Sequence, residues 1–99
     1  MKEIIANLNK EFENRIRLGI MSILVVNEWV EFNTLKTLLD LTDGNLASHI
    51  SALEKTAFLE VKKEFVGKKP RTTYKVTLEG KKAFESHLNA LEELLRKRI

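Results

Sequence analysis

The sequence predicts a mainly helical α+β fold: a helix-turn-helix, then a two-stranded hairpin, with long helices at both ends. Three observations carry this. Apolar residues recur at helical spacing from Ile4 to Leu24, and again at Phe84, Leu88, Leu91 and Leu95. A narrow stripe of Leu46, Ile50 and Leu53 falls at i, i+4 and i+7 just after the turn signal LTDG. Two runs rich in β-branched and aromatic residues, Phe58–Val66 and Thr72–Val76, flank a glycine and the only proline.

Each element follows in order. Ile4, Leu8 and Phe12, continued by Ile16, Ile20, Ile23 and Leu24, predict helix up to about Asn27, with a break between Asn9 and Asn14 that would divide it in two. Gly19 is a weak point in that helix, worth about 1 kcal/mol against alanine. Trp29 to Phe32 has strand character. Asn33 then caps a short helix, TLKTLLD, with Leu35, Leu38 and Leu39 directed inward. Thr42 or Asp43 caps the next helix. Phe58–Val66 forms a strand, Gly67 to Arg71 the turn, and Thr72–Val76 the returning strand. Thr77 caps the last helix, with Glu79 in its first turn and Arg96, Lys97 and Arg98 in its last, both signs favoured by the helix dipole. A helix-turn-helix followed directly by a hairpin is a winged helix.

The length of 99 residues suits one domain over the whole chain. No cysteine is present, which excludes disulfides, thiolate nucleophiles and cysteine metal sites. The longest nearly apolar run, Ile20 to Val26, is too short to span a membrane, and the first residues lack the apolar core of a signal peptide. A cytoplasmic protein is expected. Net charge is only +3, but it is unevenly placed: residues 27–60 carry six acids and two bases, and residues 61–77 six bases and one acid. Such a local basic patch is either a solvated hairpin or a footprint for a polyanion.

The face opposite the Leu46, Ile50 and Leu53 stripe holds Asn45, Ser48, Ser51, Ala52 and Lys55, with His49 at its edge. A helix face of small and neutral-polar residues can approach another surface closely and offer hydrogen-bond donors and acceptors. Base edges in the major groove are read by groups of this kind. The other reading is an exposed face of ordinary composition.

The stretch "FNTLKTLLDLTDGNLASHISALEKTAFLEVKKEFVGKKPRTTYKVTLEGKKAF" resembles the small winged-helix transcriptional regulators related to the MarR and ArsR repressors. "LTDGNLASHISALE" is similar to the turn and recognition helix of that group, "KKEFVGKKPRTTYKVTLEGKKAF" to its wing and the start of its last helix, and "NRIRLGIMSIL" to its first core helix. One departure is Ala57, where relatives usually have glycine; alanine in a left-handed helix cap costs roughly 1 kcal/mol, so the helix is open to ending differently here.

The resemblance implies sequence-specific double-stranded DNA binding by a homodimeric transcriptional regulator. It implies a recognition-helix contact through Asp43, Gly44, Asn45, Ser48, His49 and Ala52. Backbone N–H groups at the helix mouth would meet phosphate; Asn45, Ser48 and His49 would read base edges, and Ala52 a thymine methyl. Asp43 must turn its carboxylate to its own backbone or to a cytosine amino group, because it repels phosphate. The wing contact would fall to Lys68, Lys69 and Arg71, with hydroxyls from Thr72 and Thr73, and only one of Lys62 and Lys63 on the useful face. Three or four neutralised phosphates per subunit give a dimer a log–log salt slope of about −5 to −7. The dimer interface would draw on Ile4, Leu8, Phe12, Phe84, Leu88, Leu91 and Leu95, unless these pack within one subunit.

No enzyme is expected: no Ser/His/Asp set, phosphate loop or carboxylate pair stands out, and no cofactor is implied. His49 and His87 are far apart, and His87 does not share a helix face with Glu85, so no metal site is expected. His87 reads as exposed, and Trp29 and Tyr74 as aromatics at the core edge. The alternative function is a winged helix used as a protein–protein interaction module, which the acidic balance of residues 27–60 favours.

Overall fold

The computed structural model describes all 99 residues, Met1–Ile99. Five helices and a three-stranded antiparallel sheet follow in the order α1 (Lys2–Ala6), a 3-10 turn (Lys10–Phe12), α2 (Arg15–Leu24), β1 (Val30–Glu31), α3 (Phe32–Leu39), α4 (Asp43–Lys55), β2 (Leu59–Val66), β3 (Lys69–Val76) and α5 (Leu78–Arg96). The fold is the winged helix that the sequence predicts. The sheet order is β1-β3-β2, and β2 and β3 form the wing. No helix is long and apolar enough to cross a membrane.

The N-terminal segment is not one long helix; it breaks earlier than expected, α1 ending at Ala6 with Asn7 as its C-cap and α2 starting at Arg15. Asparagine side chains compete with the helical backbone for its own N–H groups. The Asn9 side chain accepts from the Glu11 N–H at 2.9 Å, and the Asn14 side chain from the N–H groups of Ile16 and Arg17. Each asparagine therefore starts a new element instead of continuing the last.

The core is one cluster of 12 buried residues contributed by every element except α1. Phe12 packs against Phe58 and edge-on to Phe84. Leu24, Leu35, Leu46 and Leu53 are fully buried, each worth about 1.5–3 kcal/mol by transfer from water. Gly19 is no defect, because a Cβ there would press on the Leu39 side chain where α3 crosses α2.

Two details of α3 differ from expectation, and the open question about the end of α4 is answered. Asn33 is not a cap: β1 runs straight into α3, whose N-cap is Glu31, held in the sheet opposite Thr73. Leu38 is 63 % exposed, because α3 spans barely two turns and turns Leu35, with Phe32 and Leu39 beside it, toward the core. Helix α4 keeps the left-handed end that a glycine would favour, with Ala57 at φ 64. There the Phe58 N–H bonds the Leu53 carbonyl and the Ala57 N–H that of Glu54, closing a Schellman turn on alanine.

The start of α5 is bolted to the end of α4. Thr77 donates its hydroxyl to the Ala57 carbonyl at 2.7 Å and its N–H to the Phe58 carbonyl at 2.9 Å. Its oxygen also accepts the Gly80 N–H. A Cβ at Gly80 would collide with the Phe58 carbonyl, so only glycine lets α5 approach this closely.

Candidate nucleic-acid interface

Thr42 is the cap of α4, its hydroxyl accepting the Asn45 N–H at 3.2 Å. With Leu46, Ile50 and Leu53 buried, Asn45, Ser48, Ser51 and Lys55 are exposed and Ala52 is half-buried at their flank. Gly44 is exposed, and a Cβ there would meet nothing within 4 Å. Helix geometry leaves the first N–H groups, those of Asp43 and Gly44, without partners in the helix.

Asp43 goes to neither expected destination. Its carboxylate pairs with the Lys36 ammonium of α3 at 2.9 Å. The one acid at the mouth of α4 is thus neutralised from across the turn.

The structure seats His49 against α2 instead of leaving it with Asn45 and Ser48. Its Nδ1 is 3.2 Å from Nη1 of Arg17, whose Nε donates to the Glu11 carbonyl at 2.6 Å. Arginine has no acceptor, so Nδ1 must accept and the ring proton belongs on Nε2. Burial first, and the Arg17 guanidinium second, lower the His49 pKa. Arg17 carries no sequence signal for this role, since its partner lies 32 residues away.

The wing turn is tighter than expected. β2 and β3 pair from Leu59↔Val76 to Val66↔Lys69, so the turn is Gly67–Lys68 alone. Gly67 has φ +66, as the first position of such a hairpin favours. Pro70 therefore stiffens a strand, not a turn, and Arg71 sits inside the wing opposite Glu64. Arg71 pairs with Glu31 at 3.3 Å and with Glu64 at 4.0 Å. The charge left at the end of the wing is that of Lys63, Lys68 and Lys69, exposed and paired with no acid. Lys62 is held over the Trp29 ring, 4.5 Å from its centroid, so Lys63 is the free one of that pair. Thr72 is half-buried. Thr73 is fully buried, its hydroxyl without a partner in the chain, and it offers nothing to a ligand because it lies in the middle strand between Glu31 and Lys62.

The residues expected at a dimer seam divide. Phe12 and Phe84 are 2 % and 3 % exposed and belong to the core of this chain. Their spacing matches the exposed stripe, but ring-on-ring packing across the two ends of the sequence takes them inside. Ile4 and Leu8 are half-buried; Leu88, Leu91 and Leu95 are exposed. His87 is buried, not exposed. Its Nδ1 accepts the Asn9 N–H at 2.9 Å and its ring stands edge-on to Phe12. Burial lowers its pKa, against a smaller opposing pull from Glu13.

A family model described as a winged helix DNA-binding domain matches residues 16–95. An uncharacterized protein of Methanocaldococcus jannaschii is 38% identical over 85 residues, which cover 86% of this chain and 92% of that protein. The structure of a transcriptional regulator homologue protein from Pyrococcus horikoshii superposes with a TM-score of 0.84 at 33% identity, covering 96% of this chain and 92% of that one. The S. aureus MepR–DNA complex superposes at 0.74, covering 96% of this chain and 81% of MepR; at 14% identity the likeness is one of fold.

Proposed function

The chain belongs to the winged helix DNA-binding domain family, and from that membership we propose that it is a transcriptional regulator that binds double-stranded DNA sequence-specifically as a homodimer, in the cytoplasm and with no catalytic role. The observation that carries this reading is the pairing of two exposed surfaces. The open face of α4 is nearly uncharged, with Asp43 neutralised by Lys36, and the wing beside it ends in lysines that no acid engages.

In this reading α4 enters the major groove. The Asp43 and Gly44 N–H groups meet a phosphate, and the absence of a Cβ at Gly44 lets the backbone come close. Asn45 and Ser48 read base edges, and Ala52 meets a thymine methyl. Lys68 and Lys69 hold backbone phosphates or the minor-groove edge, with Thr72 beside them. One recognition helix reads only a few base pairs, which favours two-fold pairing on a pseudo-palindrome. The surface that suits such pairing is the apolar run of Leu88, Leu91 and Leu95 on α5, with Ile4 and Leu8 alongside.

A second reading, a winged helix that docks protein, draws on the acidity of residues 27–60. Two of those six acids, Glu31 and Asp43, are already paired within the chain, which weakens it. Selection of bound sites from a random duplex pool, read together with the salt dependence of binding, tests both. Enrichment of a pseudo-palindrome with a steep salt slope supports the DNA reading; no retained duplex at low salt supports the protein module.

A further inference from the structure

The buried face of the wing does not stop where the body of the protein stops. On β2 that face carries Leu59, Val61, Lys63 and Phe65; on β3 it carries Val76, Tyr74, Thr72 and Pro70, because directly paired residues share a face and alternate residues return to it. At the root Leu59 is 6 % and Tyr74 7 % exposed. Val61, one step out, is 40 % exposed and Phe65 75 %. Phe65 lies directly opposite Pro70 in the register, two residues short of the turn. An aromatic ring and a proline are thus held side by side, in open solvent, on a paired two-stranded arm.

Neither the core nor the fold uses Phe65: it is absent from the core cluster and from the partly buried residues packed against it. What surrounds it identifies the chemistry of its partner. Lys63 precedes it on the same face, Lys68 follows in the turn, and Lys69, opposite Val66, starts the returning strand on the other face, all exposed and without acidic partners. An apolar partner would leave three cations stranded; a polyanion with stacked apolar faces inside a charged rim satisfies both features. Duplex DNA is such a partner. Apolar side chains flanked by lysines enter the minor groove between base steps, partly unstack them and bend the helix. Phe65 is about 7 Å from the tip at the strand rise, comparable with the depth of that groove.

We propose that Phe65, backed by Pro70, is an apolar wedge that enters the minor groove beside the wing lysines and deforms the duplex there, so that easily unstacked pyrimidine–purine steps are preferred at positions α4 does not touch. This rests on the DNA-binding reading above and adds to it a means of indirect recognition.

The test compares the parent chain with Phe65→Ala and Phe65→Leu on duplexes carrying 2-aminopurine at successive steps, together with end-labelled duplexes that report bending by energy transfer. The parent should raise 2-aminopurine fluorescence at one step on each side of the site and shorten the end-to-end distance. Phe65→Ala should abolish the fluorescence rise, bind roughly tenfold more weakly, and keep both the salt slope and the melting temperature of the parent. Phe65→Leu should retain most of the signal. A Phe65→Ala chain that binds and bends DNA as the parent does overturns the wedge and leaves the DNA-binding reading intact. A parent that binds no duplex overturns both.

Discussion

The ammonium of Lys36 lies 2.9 Å from the carboxylate of Asp43, joining the first helix of the helix-turn-helix to the mouth of the second. Both side chains reach solvent, so the pair contributes little to stability, under about 1 kcal/mol. Its effect is on charge. Lys36→Gln should leave the melting temperature within about 2 °C of the parent's and weaken duplex binding several-fold at low salt. Asp43→Asn in the Lys36→Gln background should restore part of that affinity. Equal binding by all three proteins in a fluorescence titration would remove the pair from the interface.

The wing cations are not equivalent. Lys68→Ala and Lys69→Ala should each weaken binding across all sequences and make the log–log salt slope shallower by about 0.9 for every phosphate no longer neutralised. Arg71 is already engaged by Glu31 and Glu64. Arg71→Ala should change the slope less and loosen the base of the wing, measured as faster amide exchange in β3.

Stability should fall with acid below neutral pH. His87 and His49 both have pKa values lowered by burial from the ordinary 6.5. The unfolded chain therefore binds protons before the folded one does, and stability rises with pH across that window. It is fully present above about pH 6.5 and is lost progressively as the pH falls through the lowered folded values. Protonating His87 also removes the acceptor for the Asn9 N–H, with Glu13 the charged group facing it. Urea midpoints measured from pH 8 to pH 5 should fall for the parent. His87→Gln, which keeps an acceptor and loses the titration, should flatten that fall in part. An unchanged profile would assign the acid sensitivity elsewhere.

Ala57→Gly should stabilise the protein. The position is left-handed at φ 64, where a Cβ costs about 1 kcal/mol, partly offset by the freer unfolded chain that glycine brings. At fixed protein concentration the expected gain is a few degrees in melting temperature, read by circular dichroism.

Periodicity made most of the fold legible. The Leu46, Ile50 and Leu53 stripe, the existence of two wing strands and the Thr77 cap stand as the sequence reads them, Thr42 is the cap of the two residues it offered, and the resemblance to winged-helix regulators stands with them. What stayed hidden depends on partners remote in the chain. His87 has the same local surroundings as an exposed histidine; Asn9, 78 residues away, makes it a core residue. Phe12 and Phe84 share the helical phase of exposed leucines until each finds the other. Arg71 looks like a tip residue only if the turn is five residues long. The register, which shortens it to two, runs on through Glu64 opposite Arg71 and Phe65 opposite Pro70 to Val66 opposite Lys69. Lys36 and Asp43 lie in different helices, so no repeat on either one announces their pairing.

The Thr77 junction makes α4 and α5 a single bent strut. Since α5 spans 19 residues, about 28 Å at helical rise, it acts as the arm of a caliper. In the homodimer proposed above, a second copy fastened to the far end of that arm would hold the two α4 tips a set distance apart. The gap between them would then be dictated by the clamped glycine and threonine at the elbow.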